Sequence, residues 1–309
     1  MQITAAMVKE LREVSGAGMS ACKNALTEAG GDVKRATEIL REKGLAAAAK
    51  KAGRVAAEGL VMSAVTDDRK SGSIVEVNSE TDFVAKNEDF IAYVQQVAQQ
   101  VLTSSADTPE ALLDEKWALD PAQTVKDVIT NKIATIGENI GIRRFERYSA
   151  DGGNAVISYI HGGGRVCAML EISAKDVNDA VLEAGRNICM QIAAMSPRFV
   201  SREHVPADYI ASEKEILNQQ ALNENEASDK PKPPQVIEKM VEGRLSKSLK
   251  EICLIDQEYV KDAELTVEGY LKKVGDDVKI VRFVRYEKGE GIEKKEENFA
   301  DEVAKAMNV

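Results

Sequence analysis

The sequence places an acid beside a large aromatic residue at Asp82 and Phe83, within the stretch EVNSETDFVAKNEDF of residues 76–90. A strand-like run ends there and a helical run begins, so the pair lies at a corner between two elements. An exposed Phe is a strong anchor for a partner, because burying its ring contributes about 1.5–3 kcal/mol. The structural alternative is that Asp82 caps the helix after residue 87 while Phe83 packs in the core. The residues alone leave both interpretations open.

Other residue types that could perform catalysis are sparse. His161 and His204 are the two histidines, and neither has a partner at the spacing of a metal site or catalytic triad. There is no phosphate-binding G-x-x-x-x-G-K-[ST] loop, and GAGMSA at 16–21 follows a helical run, whereas a dinucleotide site follows a strand. Carboxylate catalysis stays open among 51 acids, but no pair stands out. We therefore predict a binding protein rather than an enzyme, with no cofactor. The cysteines lack C-x-x-C spacing, which predicts single buried thiols: Cys22, Cys167, Cys189 and Cys253.

The composition indicates a globular protein with an ample core, since 44% of the 309 residues are hydrophobic and 30% are charged. A formal net charge of −10 argues against broad nucleic-acid binding. Residues 41–54, REKGLAAAAKKAGR, nevertheless carry five basic side chains and one acid. That run is either a solvated helical face or an RNA-binding segment on a structural scaffold. No apolar run approaches the ~20 residues of a membrane span, and a secretory signal is lacking, so we expect a cytoplasmic protein.

Three short helices are predicted in the first 44 residues. Ser20 and Asp32 are suitable caps for the second and third helices, and Gly44 is expected to end the third. The Ala/Lys-rich stretch 45–57 would then tether a small helical module to the rest of the chain. The first helix has an apolar stripe at helical spacing: Met7, Val8, Leu11 and Val14.

The hydrophobic period then changes to two, and residues 59–79 predict a hairpin around the polar turn TDDRKSG. Asn87 is expected to cap a helix, a second helix follows from Val125, and residues 140–148 form a third strand candidate. A second hairpin is predicted around the HGGG turn, again followed by a helix.

Two later stretches, GENIGIRRFERYS at 137–149 and GDDVKIVRFVRYE at 275–287, match at six positions. We infer two related halves, each with a hairpin, packing helices and a closing antiparallel strand, and hence an α+β fold. The matches are Gly137 with Gly275, Ile142 with Ile280, Arg144 with Arg282, Phe145 with Phe283, Arg147 with Arg285 and Tyr148 with Tyr286.

The segment 203–252 interrupts the second half with two more helical patterns. Between them, DKPKPP forces the chain to reverse, because proline cannot continue a helix. The segment is therefore predicted to be an inserted antiparallel coiled-coil hairpin that protrudes from the core. Its apolar seam either packs only on itself or also contacts a partner. The seam residues are Ile210, Leu217 and Ala221 on the first helix and Val241, Leu245, Leu249 and Ile252 on the second.

Two long stretches resemble the signatures of the bacterial elongation factor Ts family: LREVSGAGMSACKNALTEAGGDVKRATEILREKG at 11–44 and EVNSETDFVAK at 76–86. The likeness continues through KIATIGENIGIRRF, YIHGGGRV and the C-terminal FVRYEKGEGIEKKEENFADEVAKAM, so it covers nearly the whole chain. Asn24 and Cys167 depart from the family pattern, but both lie outside T-D-F-V. The resemblance implies a ubiquitin-associated-like helical domain and tether at 1–54, a core N-subdomain at 55–150, a core C-subdomain at 151–202 and 253–287, the inserted coiled-coil hairpin at 203–252 and a C-terminal helical module at 288–309.

The family exchanges the guanine nucleotide of elongation factor Tu, so the resemblance implies a translation elongation factor without covalent chemistry. It implies no cofactor, no metal, no membrane and no direct nucleotide or nucleic-acid binding, and it allows a dimer of heterodimers. On the family pattern, the residues that reach toward the partner's magnesium site are Thr81, Asp82, Phe83 and Val84. The second hairpin turn, with His161 and Gly162, would touch the partner's nucleotide domain.

Overall fold

The computed structural model describes residues 3–228 and 230–293. Its N-terminal part contains three helices, α1 (Ala5–Ser15), α2 (Met19–Glu28) and α3 (Val33–Lys51). They enclose a small apolar core of their own, as the helical patterns predict. The buried side chains of this core are Val8, Leu11, Cys22, Ala25, Leu26, Ala36 and Ile39.

The predicted ends of these helices are right in one case and wrong in two. Asp32 caps α3, where its carboxylate accepts hydrogen bonds from the backbone N–H groups of Lys34 and Arg35. Ser20, however, lies inside α2, which begins at Met19 without a side-chain cap. Gly44 also lies inside a helix, because α3 continues to Lys51. Another expectation fails at Val14, which belongs to the predicted apolar stripe of α1 but is 61% exposed.

The predicted tether at 45–57 is largely a helix packed on the core, since α3 runs along α7 (Val125–Ile136). A Cβ atom at Gly44 would lie only 3.3 Å from the Thr130 methyl carbon, so glycine permits this close approach of the two helices. Arg41 adds an ion pair to Asp127 at 2.7 Å. The helix continues past its glycine because it packs against α7. This contact cannot be read from the sequence of α3 alone.

We expect Gly44→Leu to loosen the N-terminal helices from α7, at a cost of about 1–3 kcal/mol for overpacking a tight contact. Gly44→Ala should have a smaller effect, because the Thr130 methyl must shift by only a few tenths of an ångström. Protease cleavage between residues 52 and 57, together with the melting temperature, measures the loosening. Gly243→Leu is the matched control, because that helical glycine has no neighbour within 4 Å. Equal behaviour of the two leucine variants would contradict the close approach.

The first half of the remaining chain (residues 58–149) holds an antiparallel sheet of order β1-β2-β5. Its predicted hairpin and closing strand are confirmed, and Asn87 caps the long helix as expected. Helices and a short two-stranded ribbon cover one face of the sheet around an extensive apolar core. The elements are β1 (Glu58–Val65), β2 (Ser71–Ser79), α4 (Asp82–Ala85), α5 (Glu88–Thr103), α6 (Pro109–Asp114), β3 (Lys116–Trp117), β4 (Asp120–Thr124), α7 and β5 (Gly141–Ser149).

The second half (residues 155–287) repeats this arrangement with a sheet of order β10-β7-β6. The closing strand again pairs antiparallel with the second strand of the hairpin, as the sequence repeat predicts. The structure is thus a mixture of helices and small antiparallel sheets, an α+β fold. The elements are β6 (Ala155–His161), β7 (Val166–Ser173), α8 (Asp179–Met195), α9 (Ala207–Glu226), α10 (Pro234–Ile252), β8 (Glu258–Tyr259), β9 (Asp262–Thr266), α11 (Val267–Val274) and β10 (Lys279–Glu287).

The repeat extends to one buried glutamine in each half. Gln100 donates to the Lys116 carbonyl at 3.1 Å and accepts from the Ala118 N–H at 2.7 Å. Gln191 does the same for the other short ribbon, donating to the Glu258 carbonyl at 3.0 Å and accepting from the Val260 N–H at 2.8 Å. Each buried amide side chain satisfies one carbonyl and one N–H group of a short ribbon. This explains why a polar residue occupies the buried face of each long helix.

The two halves exchange reciprocal contacts where their sheets meet. The Arg144 guanidinium lies 4.1 Å from the Tyr286 ring centre, and the Arg282 guanidinium lies 4.1 Å from that of Tyr148. These four residues are the matched arginines and tyrosines of the sequence repeat. A shared apolar layer surrounds them, and cation–π contacts of this kind bind most strongly when they are desolvated. The layer consists of Val61, Ile74, Tyr148, Val156, Cys167, Met169, Val284 and Tyr286.

Glu146 breaks the repeat, because it occupies the position that Val284 fills in the second half. Burial raises the pKa of Glu146, and the charge of Arg282 only partly opposes this. The folded state therefore favours the protonated acid, so the ionised carboxylate destabilises the protein at neutral pH.

We expect Glu146→Gln to raise the melting temperature at pH 7–8, because it removes the cost of a partly buried charge. The gain should shrink as the pH falls toward the acid's ordinary pKa of about 4.5, since the wild-type side chain then also becomes neutral. Thermal unfolding between pH 4 and pH 8 measures this difference. A gain that does not change with pH would show that the charge of Glu146 is not its cause.

The inserted segment forms two antiparallel helices, α9 and α10, which pack mainly on each other. Near the tip, Leu217 and Ala221 meet Ile237 and Val241, and Glu224 pairs with Arg244 at 2.6 Å. The root is fixed to the second half by an apolar cluster and by a bridge between Phe199 and Cys253. Most of the predicted C-terminal module at 288–309 lies outside the described residues, which end at Glu293.

Candidate functional site

The predicted T-D-F-V stretch forms the four-residue helix α4 with its cap. Thr81 is the N-cap, and its hydroxyl accepts from the Val84 N–H at 3.5 Å. Val84 is half-buried and packs against the core of the first half. Phe83, by contrast, is 80% exposed, so the alternative that its ring belongs to the core is wrong. The structure therefore presents a large aromatic ring to solvent on a very short helix.

Asp82 lies at the start of α4 and does not cap the following helix, where Asn87 performs that role. Its carboxylate accepts from the Lys86 ammonium at 2.6 Å, and both side chains are exposed. This hydrogen bond is the main reason that the pKa of Asp82 is lowered, and the charge of Lys288 adds to the effect. Asp82 is therefore ionised at neutral pH and able to exchange its lysine for another positive centre.

A pair of carboxylates clasps the base of α4. Glu138 accepts from the backbone N–H groups of Glu80 and Thr81, both at 3.0 Å, and from the Thr81 hydroxyl at 2.6 Å. In return, Glu80 accepts from the Asn139 N–H at 2.6 Å. The sequence patterns single out neither acid. They stand within the quoted stretches EVNSETDFVAK and GENIGIRRF, but their separation in the chain conceals the contact.

Helix α4 has no counterpart among the described residues of the second half, 155–228 and 230–287. Glu76 and Glu171 are equivalent buried acids on β2 and β7, and Asn87 and Asn178 cap the next long helices. Asn87 follows Glu76 by eleven positions, whereas Asn178 follows Glu171 by only seven. The extra length equals the four residues of α4. The second half thus builds the same sheet and long helix without such an insertion, so α4 is an addition to the shared plan of the two halves.

The second predicted site lies at the end of β6. His161 is exposed, and its Nδ1 lies 3.0 Å from the Tyr159 hydroxyl. Gly162 begins a turn of three glycines with positive φ, which L side chains adopt only with strain. The turn is fixed to the first half, because the Gly164 carbonyl accepts from the Val61 N–H at 2.8 Å.

The two predicted sites flank the beginning of strand β1. Glu58, the first residue of β1, pairs in register with Ser79, three residues before Asp82. Val61 on the same strand holds the glycine turn. Lys288 joins the two sides: its side chain pairs with Glu58, and its N–H donates to the Arg165 carbonyl at 2.9 Å. The fold thus brings Asp82 and His161 to one end of the molecule despite their separation in sequence.

Phe83 also borders a cleft of about 710 Å³ between the end of α1, helix α4 and helix α7. Val14 also lines this cleft and is absent from the core of the N-terminal helices. Lys132 and Trp117 contribute a charge and a largely buried aromatic ring. The cleft is therefore a mixed apolar and polar surface that adjoins the exposed Phe83.

Basic residues of the 41–54 run are substantially neutralised by neighbouring acids. Arg41 pairs with Asp127, Lys43 with Glu28 and Arg54 with Glu80. These ion pairs favour the interpretation of the run as a helical face over the RNA-binding alternative.

All four cysteines are buried free thiols, as predicted. Among residues 3–228 and 230–293, no cluster of three or more His, Cys, Asp or Glu side chains could hold a metal ion. Within the same ranges, no helix is both long and apolar enough to cross a membrane.

Comparison with known proteins gives a match to the family model described as Elongation factor TS over residues 80–290. The chain is 53% identical over 307 residues to elongation factor Ts of Clostridium perfringens, and the similarity covers 98% of each chain. It is 52% identical over 309 residues to elongation factor Ts of Clostridium botulinum, covering 99% of each chain. The matched regions include both α4 and the glycine turn after His161.

Proposed function

Since this chain belongs to the elongation factor Ts family, we propose that this translation elongation factor binds elongation factor Tu and promotes the release of its GDP. GTP then reloads the partner. The exposed Phe83 on an inserted, clasped helix is the observation that carries the proposal. The reaction is an exchange of non-covalent ligands, so the chain acts without covalent chemistry or a cofactor of its own, in the cytoplasm.

Phe83 supplies both affinity and distortion. Burying the ring against the partner contributes about 1.5–3 kcal/mol, and a rigid ring can displace the element that it enters. Asp82 acts beside it, because an ionised carboxylate competes for the contacts and the charge that hold Mg²⁺ near the phosphates. Phosphate charge that has lost its divalent cation is poorly compensated, so GDP leaves faster.

Thr81 and Val84 support these two residues from the base of α4, by capping the helix and by packing on the core. His161 and Gly162 form the second contact, at the same end of the molecule as Asp82. The rigid glycine turn and the Tyr159 hydroxyl position the imidazole for the nucleotide-binding domain of elongation factor Tu.

Linkage limits this mechanism. If the factor weakens GDP binding by a certain ratio, then GDP must weaken binding of the factor by the same ratio. The exchange therefore passes through a nucleotide-free complex of the two proteins, which entering GTP dissociates. A tight complex with free elongation factor Tu and a weak one with its GDP form are two consequences of one coupling free energy.

The chain regions divide this work. The helical residues 1–54 dock on the partner, and the subdomains at 55–150 and at 151–202 with 253–287 carry the two contact sites. The coiled-coil hairpin at 203–252 provides a protruding surface through which two heterodimers could pair. The proposal includes no membrane and no direct binding of nucleotide or nucleic acid by this chain.

Release of fluorescent GDP from elongation factor Tu, with and without this protein, tests the proposed function. We expect release to accelerate in proportion to the added factor until the partner is saturated. An unchanged release rate would overturn the proposal. RNA binding with a steep salt dependence in the absence of any GTPase would instead support the scaffold alternative.

A further inference from the structure

We propose that Glu138 is a positioning residue, which sets the orientation of α4 and thereby aims Phe83 at the partner. The inference rests on the proposed exchange function and identifies a residue outside the T-D-F-V stretch on which the function depends. Glu138 lies in the loop between α7 and β5, 53 to 56 positions after the residues of α4. Its carboxylate is bonded to Glu80 and Thr81, so it would act on the partner through α4.

Helix α4 needs an external attachment because it is too short to hold itself. Four residues form a single turn, and isolated helices shorter than about 12–15 residues are marginal in water. Its own cap is weak, since the Thr81 hydroxyl lies 3.5 Å from the Val84 nitrogen. Val84 and Ala85 pack on the core and anchor the later part of α4, whereas Phe83 adds little because its ring is mostly exposed. The beginning of the helix is therefore the part that needs a further attachment.

Glu138 supplies that attachment through three hydrogen bonds to two consecutive residues. Hydrogen bonds that backbone N–H groups donate to a carboxylate are stronger than hydrogen bonds between neutral partners. The hydroxyl bond to Thr81, at 2.6 Å, is the shortest of the three and also fixes the rotamer of the capping residue. Because Asn139 holds Glu80 in return, the peptide before α4 is bound from both directions.

The second half shows which of these bonds serve the insertion. There, the carboxylate of Asp277, one position after the repeat equivalent of Glu138, accepts from the Lys175 N–H at 2.5 Å, as Glu138 accepts from the Glu80 N–H. Anchoring the end of the middle strand is thus common to both halves and belongs to the fold. The additional hydrogen bonds, which the Thr81 N–H and hydroxyl donate to Glu138, occur where α4 is inserted. They therefore serve the placement of α4.

The experiment compares Glu138→Ala with Glu138→Gln and Asp277→Ala in fluorescent-GDP release from elongation factor Tu. Small misplacements of an acting group can cost up to about 100-fold in rate, so we expect Glu138→Ala to lower the maximal release rate about tenfold. Glu138→Gln should recover to within about twofold, because its carbonyl oxygen accepts both N–H groups and its amide donates to the Thr81 hydroxyl. Asp277→Ala, which removes the matching structural bond, should keep the wild-type rate.

A background that carries both Asp82→Asn and Phe83→Ala separates this proposal from the proposed function. If Glu138 acts by placing α4, which carries both residues, then Glu138→Ala should add no further loss once the ring and the charge are absent. Independent, multiplying losses would overturn the positioning role, as would a wild-type rate for Glu138→Ala or equal losses in Glu138→Ala and Asp277→Ala. If elongation factor Tu released GDP at the wild-type rate in the presence of the Phe83→Ala variant, the proposed function of α4 would be wrong instead.

Discussion

Phe83→Ala should weaken the complex with elongation factor Tu about 30-fold and slow GDP release, while leaving the melting temperature nearly unchanged. The expected loss corresponds to about 2 kcal/mol, the size found for aromatic residues at the centre of an interface. Stability should be preserved because the ring is 80% exposed, so no core cavity is created. Titration of the complex, GDP release and thermal unfolding measure the three quantities on one variant.

Val260→Ala is the matched control for this substitution, because it truncates another exposed apolar side chain, in the second half of the fold. Asp82→Asn should behave differently from Phe83→Ala by slowing release more than it weakens binding, because it removes a charge but keeps the size of the side chain. Stimulation of GDP release by the Asp82→Asn variant should also depend less on Mg²⁺ concentration than stimulation by the wild type does. If Phe83→Ala instead lost the ~3–5 kcal/mol of stability typical of a core aromatic truncation, the role of the ring would be structural.

Glu76→Gln should destabilise the protein by about 3 kcal/mol, the lower end of the range for breaking a buried ion pair. The Glu76 side chain is fully buried and accepts from Arg144 at 2.6 Å and from Arg143 at 3.1 Å. It also accepts from the Asn78 amide at 3.0 Å and from the Gly289 N–H at 2.7 Å. A neutral amide cannot satisfy these four donors, which leaves buried polar groups unpaired. Chemical denaturation gives the change in the free energy of unfolding.

The same carboxylate predicts a pH dependence. Burial alone would raise the pKa of Glu76, but hydrogen bonds from Gly289, Asn78 and Arg144 outweigh it and lower the pKa. A lowered pKa contributes stability that is present above the ordinary value of about 4.5 and is lost as the pH falls through the folded value. Acid unfolding of the wild type should therefore steepen below about pH 4.5, and Glu76→Gln should lack this component.

Glu171→Gln is the internal comparison for Glu76→Gln, since Glu171 occupies the equivalent place in the second half. It accepts from Arg282 and from Asn154, both at 2.8 Å, so it has half as many donors to leave unpaired. We expect a smaller loss of stability. Equal losses in the two variants would show that the additional donors around Glu76 contribute little.

Local signals in the sequence were sufficient for the secondary structure of most of the chain. Asp32 and Asn87 cap the helices that were predicted for them, because a side chain that binds the N–H groups two and three residues ahead acts within one turn. Both hairpins and both closing strands are also present. Alternation with period two depends on the pleat of a strand rather than on distant contacts, so it can be read from the sequence.

Predictions failed where a neighbouring element overrides a local signal. A glycine such as Gly44 often ends a helix. Helix α3 nevertheless continues through it, because α7 lies so close that a side chain at this position would be tightly packed. Val14 has helical apolar spacing, yet it lines the cleft beside Phe83 rather than the core. In both cases, the deciding surroundings include residues more than 60 positions away, which no local pattern records.

Residue types at short spacing were enough to predict the family, the α+β class, the repeated strands and the T-D-F-V stretch as the candidate site. The folded chain was needed to show that Phe83 is exposed, that α4 is an insertion held by Glu138, and that Asp82 and His161 share one end of the molecule. The physical reason is that exposure and hydrogen bonding between distant residues depend on which elements pair and pack in the folded chain. Pairing of β5 with β2 brings the loop after α7 against the end of β2, and it thereby creates the clasp on which the orientation of Phe83 depends.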